Sequence, residues 1–121
     1  MNLIRVCREG EAIAVAAGLM LGGQKPVVII QCTGLFDAGD ALRNVVHDLK
    51  LPLFLIVGLR SYSAFQKKAT HDTCPIFTEP ILNAWQVPYV LLDDKSTRAD
   101  LQTALSESLA KRRAGVALVA E

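Results

Sequence analysis

Two short runs, Val27-Val28-Ile29-Ile30 and Leu53-Phe54-Leu55-Ile56-Val57, are apolar at every position and rich in branched side chains. A strand with one face in water alternates apolar and polar residues, whereas a strand covered on both faces has no reason to. The stretches between and beyond these runs have helical length and pattern. The chain is therefore expected to be α/β, with three α/β/α layers around a doubly wound, mainly parallel sheet.

Read in order, strands are expected at residues 3–7, 26–31, 52–58, 88–92 and 116–120, and helices at 9–21, 37–49, 77–85 and 97–113. Gly22-Gly23 ends the first helix and Gly58 closes the third strand. The last helix has the clearest boundaries: Thr97 as N-cap, Asp100 in the first turn, an apolar stripe of Leu101, Ala104, Leu105 and Leu109, and Lys111, Arg112 and Arg113 at the C-terminal dipole. The first helix is different. After Glu11 it carries no charge through Gly23, so it has no polar face and is expected to be enclosed, by its own sheet or by another chain. Only 60–75 resists the alternation. It is polar, follows the carboxyl end of a buried strand, and reads either as the wall of a site or as a mobile surface loop.

The composition sharpens this picture. Of 121 residues, 51% are hydrophobic and 21% charged, and the mean hydropathy is +0.31. A chain of this length forms one ordinary domain, here taken as 1–121, and buries about two-thirds of its unfolded surface. Either nearly every element is covered, or apolar surface is reserved for a partner. Thirteen basic and 12 acidic residues, net +1, provide no field for tracking nucleic acid phosphates. The uncharged run 51–59 is far shorter than the roughly 20 residues of a membrane span. Arg5, Arg8 and Glu9 interrupt what would be the apolar core of a signal peptide, so a cytoplasmic location is expected. Cys7, Cys32 and Cys74, widely spaced and odd in number, suit reduced, buried thiols.

No GxxxxGK[ST], GxGxxG or GxSxG motif is present, and His47 and His71 lack metal-ligand spacing. His47 reads as a surface residue without a role. Glu9, where the first strand passes into the first helix, reads either as an acid favoured by the helix dipole or as a site carboxylate. Glu11 lies about 200° around the same helix, so only one of the two can face a common site.

The stretch from Arg8-Glu9-Gly10-Glu11 through Gly18, followed by Gln31-Cys32-Thr33-Gly34-Leu35, resembles the pyrimidine-binding domain of thiamine diphosphate enzymes. The likeness is particularly to the phosphonopyruvate and sulfopyruvate decarboxylases. Gly58-Leu59-Arg60 with His71, Phe77-Thr78-Glu79-Pro80-Ile81-Leu82 and Val87-Pro88-Tyr89 extend it over nearly the whole chain. The resemblance implies a 2-oxo acid decarboxylase in which Glu9 hydrogen-bonds the cofactor's aminopyrimidine and favours the imino tautomer that removes the thiazolium proton. It further implies that Thr33 and Gly34 line the pyrimidine pocket, that Arg60 pairs with an anionic substrate tail, and that His71 shuttles a proton or polarises the substrate. For Arg60 and His71, a loop ion pair and an exposed side chain stand as the alternatives.

The family's magnesium and diphosphate motif, GDG with a later asparagine, is not matched by Gly39-Asp40-Ala41. The expectation is therefore a pyrimidine-binding, alpha-type subunit, inactive alone, whose partner is a beta-type subunit that holds Mg2+ and the diphosphate, in a hetero-oligomer or dimer. The chain aligns from the family's second strand onward, so the family's first strand and helix are expected to be lacking. A non-catalytic interaction or regulatory module related to these enzymes is the alternative.

Overall fold

The computed structural model describes residues 2–121. Its elements are α1 (Glu9–Leu21), β1 (Val27–Gln31), α2 (Cys32–Asp37), α3 (Gly39–Arg43), a π-helical turn (Asn44–Asp48), β2 (Phe54–Leu59), α4 (Tyr62–Gln66), α5 (Cys74–Ala84), β3 (Tyr89–Leu92), α6 (Arg98–Lys111) and β4 (Gly115–Ala120). All pairings in the sheet are parallel, and the strand order is β1-β2-β4-β3. The expected α/β architecture is thus the observed one.

Alternation along β2 separates two faces. Leu55, Val57 and Leu59 enter the principal core with Ile13 of α1, Leu35 of α2, Leu42 of α3 and Leu82 of α5, all fully buried. Phe54 points the other way, toward Ser108 of α6, and both lie so close to Gly115 that a side chain there would crowd them. Helices therefore cover both faces, and β2, flanked by β1 and β4, is buried along its core face and at Phe54 on the other, where Ile56 is partly exposed. Opposite α6 the core is anchored by a tight fit of the Trp85 ring onto Gly39, which leaves no room for a Cβ at that position.

The covering of β1 is incomplete. Val28 is buried on the core face, but Val27 and Ile29, on the opposite face, are 40% and 71% exposed. The uniformly apolar run that predicts burial on both faces is thus satisfied by β2 except at the partly exposed Ile56, and only on one face by β1. Residues 3–7, expected as a strand, form none. A ladder needs a neighbouring edge at about 4.8 Å, and between this segment and the free edge of β1 lies a groove of about 940 Å³, walled by Ile4, Val6, Val15, Leu19, Val27 and Ile29. Cys7, on that segment, is exposed, while Cys32 and Cys74 are buried as expected.

Two other expectations shift. The helix expected at 37–49 starts earlier and breaks into α2, α3 and the π-helical turn, with Arg43 spanning the irregularity through Asp40 at 2.9 Å and Asp48 at 2.7 Å. The segment expected as a continuous loop at 60–75 contains α4 and the first turn of α5, which has proline in that turn. The outer side of α1, expected to be enclosed, exposes Ala14, Gly18 and Leu21. At α6 the Thr97 and Asp100 capping box forms as expected, with Asp100 accepting from the Thr97 amide at 2.6 Å. No helix among the described residues is long and apolar enough to cross a membrane.

Because Leu55 is fully buried in the central strand, Leu55→Ala is expected to lower unfolding free energy by about 3 kcal/mol, read from urea midpoints at constant slope.

Candidate functional site

A parallel sheet brings the carboxyl ends of its strands to one edge, where the following loops gather side chains. Glu9 opens α1 and is half-buried. Its side chain rests on Gly34 in the first turn of α2, so closely that a Cβ at position 34 would overlap it. The Glu9 carboxylate has no hydrogen bond or ion pair to another described residue. Glu11 takes the opposite course: it is exposed, and its Oε2 accepts the Cys7 amide at 3.2 Å. Of the two acids on α1, Glu9 is the one turned toward the sheet edge.

Thr33 is exposed, and its hydroxyl donates to Gln31 Oε1 at 3.2 Å. Cys32, the residue before it, is buried, as is Cys74 at the start of α5. Burial, with contributions from Asp72 and Cys32, pushes the Cys74 thiol up to about 11, so it is a neutral packing group at physiological pH.

The segment after β2 is organised by a residue that sequence reading does not single out. Asp72 accepts Arg60 Nε at 2.8 Å, the Ser61 hydroxyl at 2.9 Å and the Cys74 amide at 3.0 Å. Its own amide donates to Thr70 Oγ1 at 3.0 Å. Arg60 Nη2 reaches the Cys74 sulfur at 3.5 Å. The Arg60 guanidinium, together with these amide and hydroxyl donors, holds the Asp72 carboxyl well below the usual carboxylate range. Ser61 is drawn into the left-handed region at φ 62 to make its contact.

The structure therefore joins Arg60, Ser61, Asp72 and Cys74 in one network, and separately places Glu9 upon Gly34, beside Thr33. His71 is not joined to that network. Its ring is exposed and has no hydrogen-bonding partner among the described residues. His47, read as a surface residue, is exposed yet bonds through Nε2 to the Trp85 carbonyl at 2.6 Å, tying the π-helical turn to the end of α5. A further carboxylate at the sheet edge, Glu121, lies over Gly58 and bonds through its amide to the Leu59 carbonyl at 3.2 Å. No cluster of three or more potential metal ligands exists among the described residues.

The fold and this edge define a doubly wound α/β domain with a carboxylate at the mouth of its first helix that has no partner among the described residues. The comparisons give that class a lineage. The chain is 31% identical over 103 residues to a phosphonopyruvate decarboxylase of Streptomyces viridochromogenes, covering 85% of this chain and 25% of that protein. It is 30% identical over 86 residues to sulfopyruvate decarboxylase subunit alpha of Methanococcus maripaludis, covering 71% of this chain and 51% of the subunit. A sulfopyruvate decarboxylase of Methanosarcina acetivorans is 26% identical over 118 residues, covering 96% of this chain and 30% of that protein. No protein-family profile matches. The chain is thus a homologue of the phosphonopyruvate and sulfopyruvate decarboxylases over most of its own length, a decarboxylase-related protein that spans about half or less of these relatives.

The ionised Asp72 stabilises the native state at neutral pH. Because its folded pKa is depressed, that contribution is present above the unfolded carboxyl value of about 3.9 and is lost as pH falls toward the folded one. Between pH 5 and pH 2, the stability of the wild type is expected to fall more steeply than that of Asp72→Asn, measured by chemical denaturation at each pH.

Proposed function

We propose that this chain is the pyrimidine-binding component of a two-component, thiamine diphosphate-dependent 2-oxo acid decarboxylase. The observation that carries the reading is the Glu9 carboxylate: half-buried, without a hydrogen-bonding or ion-pair partner among the described residues and seated on a glycine at the sheet's carboxyl edge. A carboxyl in that state suits a ring nitrogen that must be held by a proton-sharing hydrogen bond. The adjoining apolar groove, to whose lining Glu9 itself belongs, suits a flat heteroaromatic ring. Bound thiamine diphosphate would supply the carbanion that adds to the 2-oxo acid carbonyl and accept the electrons released with carbon dioxide.

In this reading Glu9 holds and exchanges a proton at the pyrimidine N1′ atom, while Gly34 gives the carboxylate room to lie flat beside the ring. Thr33 offers a hydroxyl at the same edge. Arg60 meets the anionic tail of the substrate, and His71 acts as a proton carrier only once a partner or ligand orders its ring. The chain's own residues do not fit the diphosphate and its magnesium ion. Asp40, within the only Gly-Asp step of the sequence, is engaged by Arg43. That part of the cofactor is assigned to a beta-type partner chain in the same cytoplasmic assembly. The name of the Methanococcus relative, an alpha subunit, supports such a division. The bare Val27 and Ile29 face of β1, with the adjoining groove, is the surface on which the partner is expected to sit.

The alternative, a non-catalytic interaction module, uses the same bare face but gives Glu9 no task. The two readings separate in one variant. Glu9→Gln is expected to lower turnover of the assembled enzyme by at least about 100-fold while leaving its thermal midpoint near that of wild type. Turnover within a few-fold of wild type would assign the chain to the interaction module. Calorimetric titration with thiamine diphosphate and magnesium is expected to show binding only when the partner is present. Ile29→Glu, at a largely exposed position, is expected to shift the unfolding free energy by no more than about 0.5 kcal/mol. The same change should abolish co-elution with the partner in gel filtration.

A further inference from the structure

Arg60 is the first residue after the central strand, and its side chain is 46% exposed, whereas that of Asp72, the acid beside it, is 17% exposed. The pairing is one-sided. Asp72 engages Arg60 through Nε at 2.8 Å and more weakly through Nη2 at 3.5 Å. Nη2 also faces the Cys74 sulfur at 3.5 Å. A guanidinium has five N–H donors in a rigid plane. Here the Nε side of that plane is turned inward, and Nη1 has no partner among the described residues.

Asp72 is itself fixed. Ser61 and the Cys74 amide hold its two oxygens from different directions, at 2.9 and 3.0 Å, and Thr70 receives its amide at 3.0 Å. The left-handed backbone at Ser61 is retained in a non-glycine residue, as expected where surrounding bonds over-determine it. A flexible arginine is thereby given one orientation by a carboxylate that cannot easily move.

We infer that Asp72 is a positioning residue: it holds the Nε and Nη2 side of Arg60 so that Nη1, the one guanidinium nitrogen without a partner among the described residues, is left to receive an anionic group, the tail of a carboxylate-, sulfonate- or phosphonate-bearing 2-oxo acid. The substrate part of this inference rests on the decarboxylase reading; the orientation of Arg60 by Asp72 does not. A charge-assisted bond from a nitrogen held in one place recognises the tail by position as well as by charge. Asparagine at position 72 would leave Arg60 charged but replace its charge-assisted bonds with weaker neutral ones, so the loss falls on recognition of the tail.

The test compares wild type, Asp72→Asn and Asp72→Glu in the assembled enzyme with two substrates, a 2-oxo acid bearing a phosphonate tail and pyruvate, which has none. Asp72→Asn is expected to raise KM for the tailed substrate about tenfold relative to KM for pyruvate, the scale of one misdirected bond to a charged group, with kcat changed less than about threefold. Asp72→Glu is expected to recover part of that ratio. Equal changes in KM for both substrates, or none, would make Asp72 a mere loop staple and overturn the inference.

If no 2-oxo acid is turned over by the wild-type assembly, the decarboxylase reading fails while the orientation remains measurable. Titration of the chain with methylphosphonate is then followed at the Arg60 side-chain N–H resonances. A displacement in wild type that is lost in Asp72→Asn supports the positioning role. No displacement in wild type, or the same displacement in the variant, overturns it.

Discussion

Strand β2 is apolar along both faces, and the remainder of the molecule is arranged to keep water from it. Its two edges are paired in parallel by β1 and β4, its core face is closed by α1, α2, α3 and α5, and its other face meets α6 through Phe54. Parallel pairing has a functional corollary. Every strand ends at the same side, so residues far apart in the chain, Thr33, Arg60 and Glu121, emerge along one edge. Glu9 reaches that edge from outside the sheet, through its contact with Gly34.

The strands were legible in the sequence because their signal is local: a run of branched residues between turn formers reads the same whatever surrounds it. The α6 cap was legible for the same reason, since Thr97 and Asp100 are three residues apart. Residues 3–7 carry an equally good local signal and form no strand, because a strand is completed by a neighbour that local sequence does not contain. The segment expected as one helix at 37–49 also meets a distant partner, since the Trp85 ring is seated on Gly39. The helical content of 60–75 is masked by its polarity, although proline after Cys74 is a helix-start signal.

The site divides along the same line. That one acid on α1 faces inward followed from helix geometry, and the family likeness selected Glu9. The role of Gly34 as the surface on which Glu9 rests depends on two elements packing together, and no spacing within the chain announces it. Asp72 was hidden among many polar neighbours, and its four contacts exist only once Arg60, Ser61, Thr70 and Cys74 are folded around it. The two halves of the edge also differ in readiness. Arg60 is held by Asp72, whereas the ring of His71, one residue from Asp72, has no hydrogen-bonding partner among the described residues.

The strand order carries a consequence for how this molecule comes into being. β4 follows β3 in the chain but lies between β3 and β2, with Val116 aligned to Tyr89 on one side and to Leu55 on the other. Until residues 115–120 are available, β3 has no edge to join and β2 keeps one side open. The sheet therefore closes late, by contacts between distant parts of the chain, and such closure is slow compared with formation of the helices. On a translating ribosome, α1 and the β1 and β2 hairpinless pair would wait as an apolar fragment until the final central strand arrives, which makes the interval before β4 emerges the period of greatest exposure to misassociation.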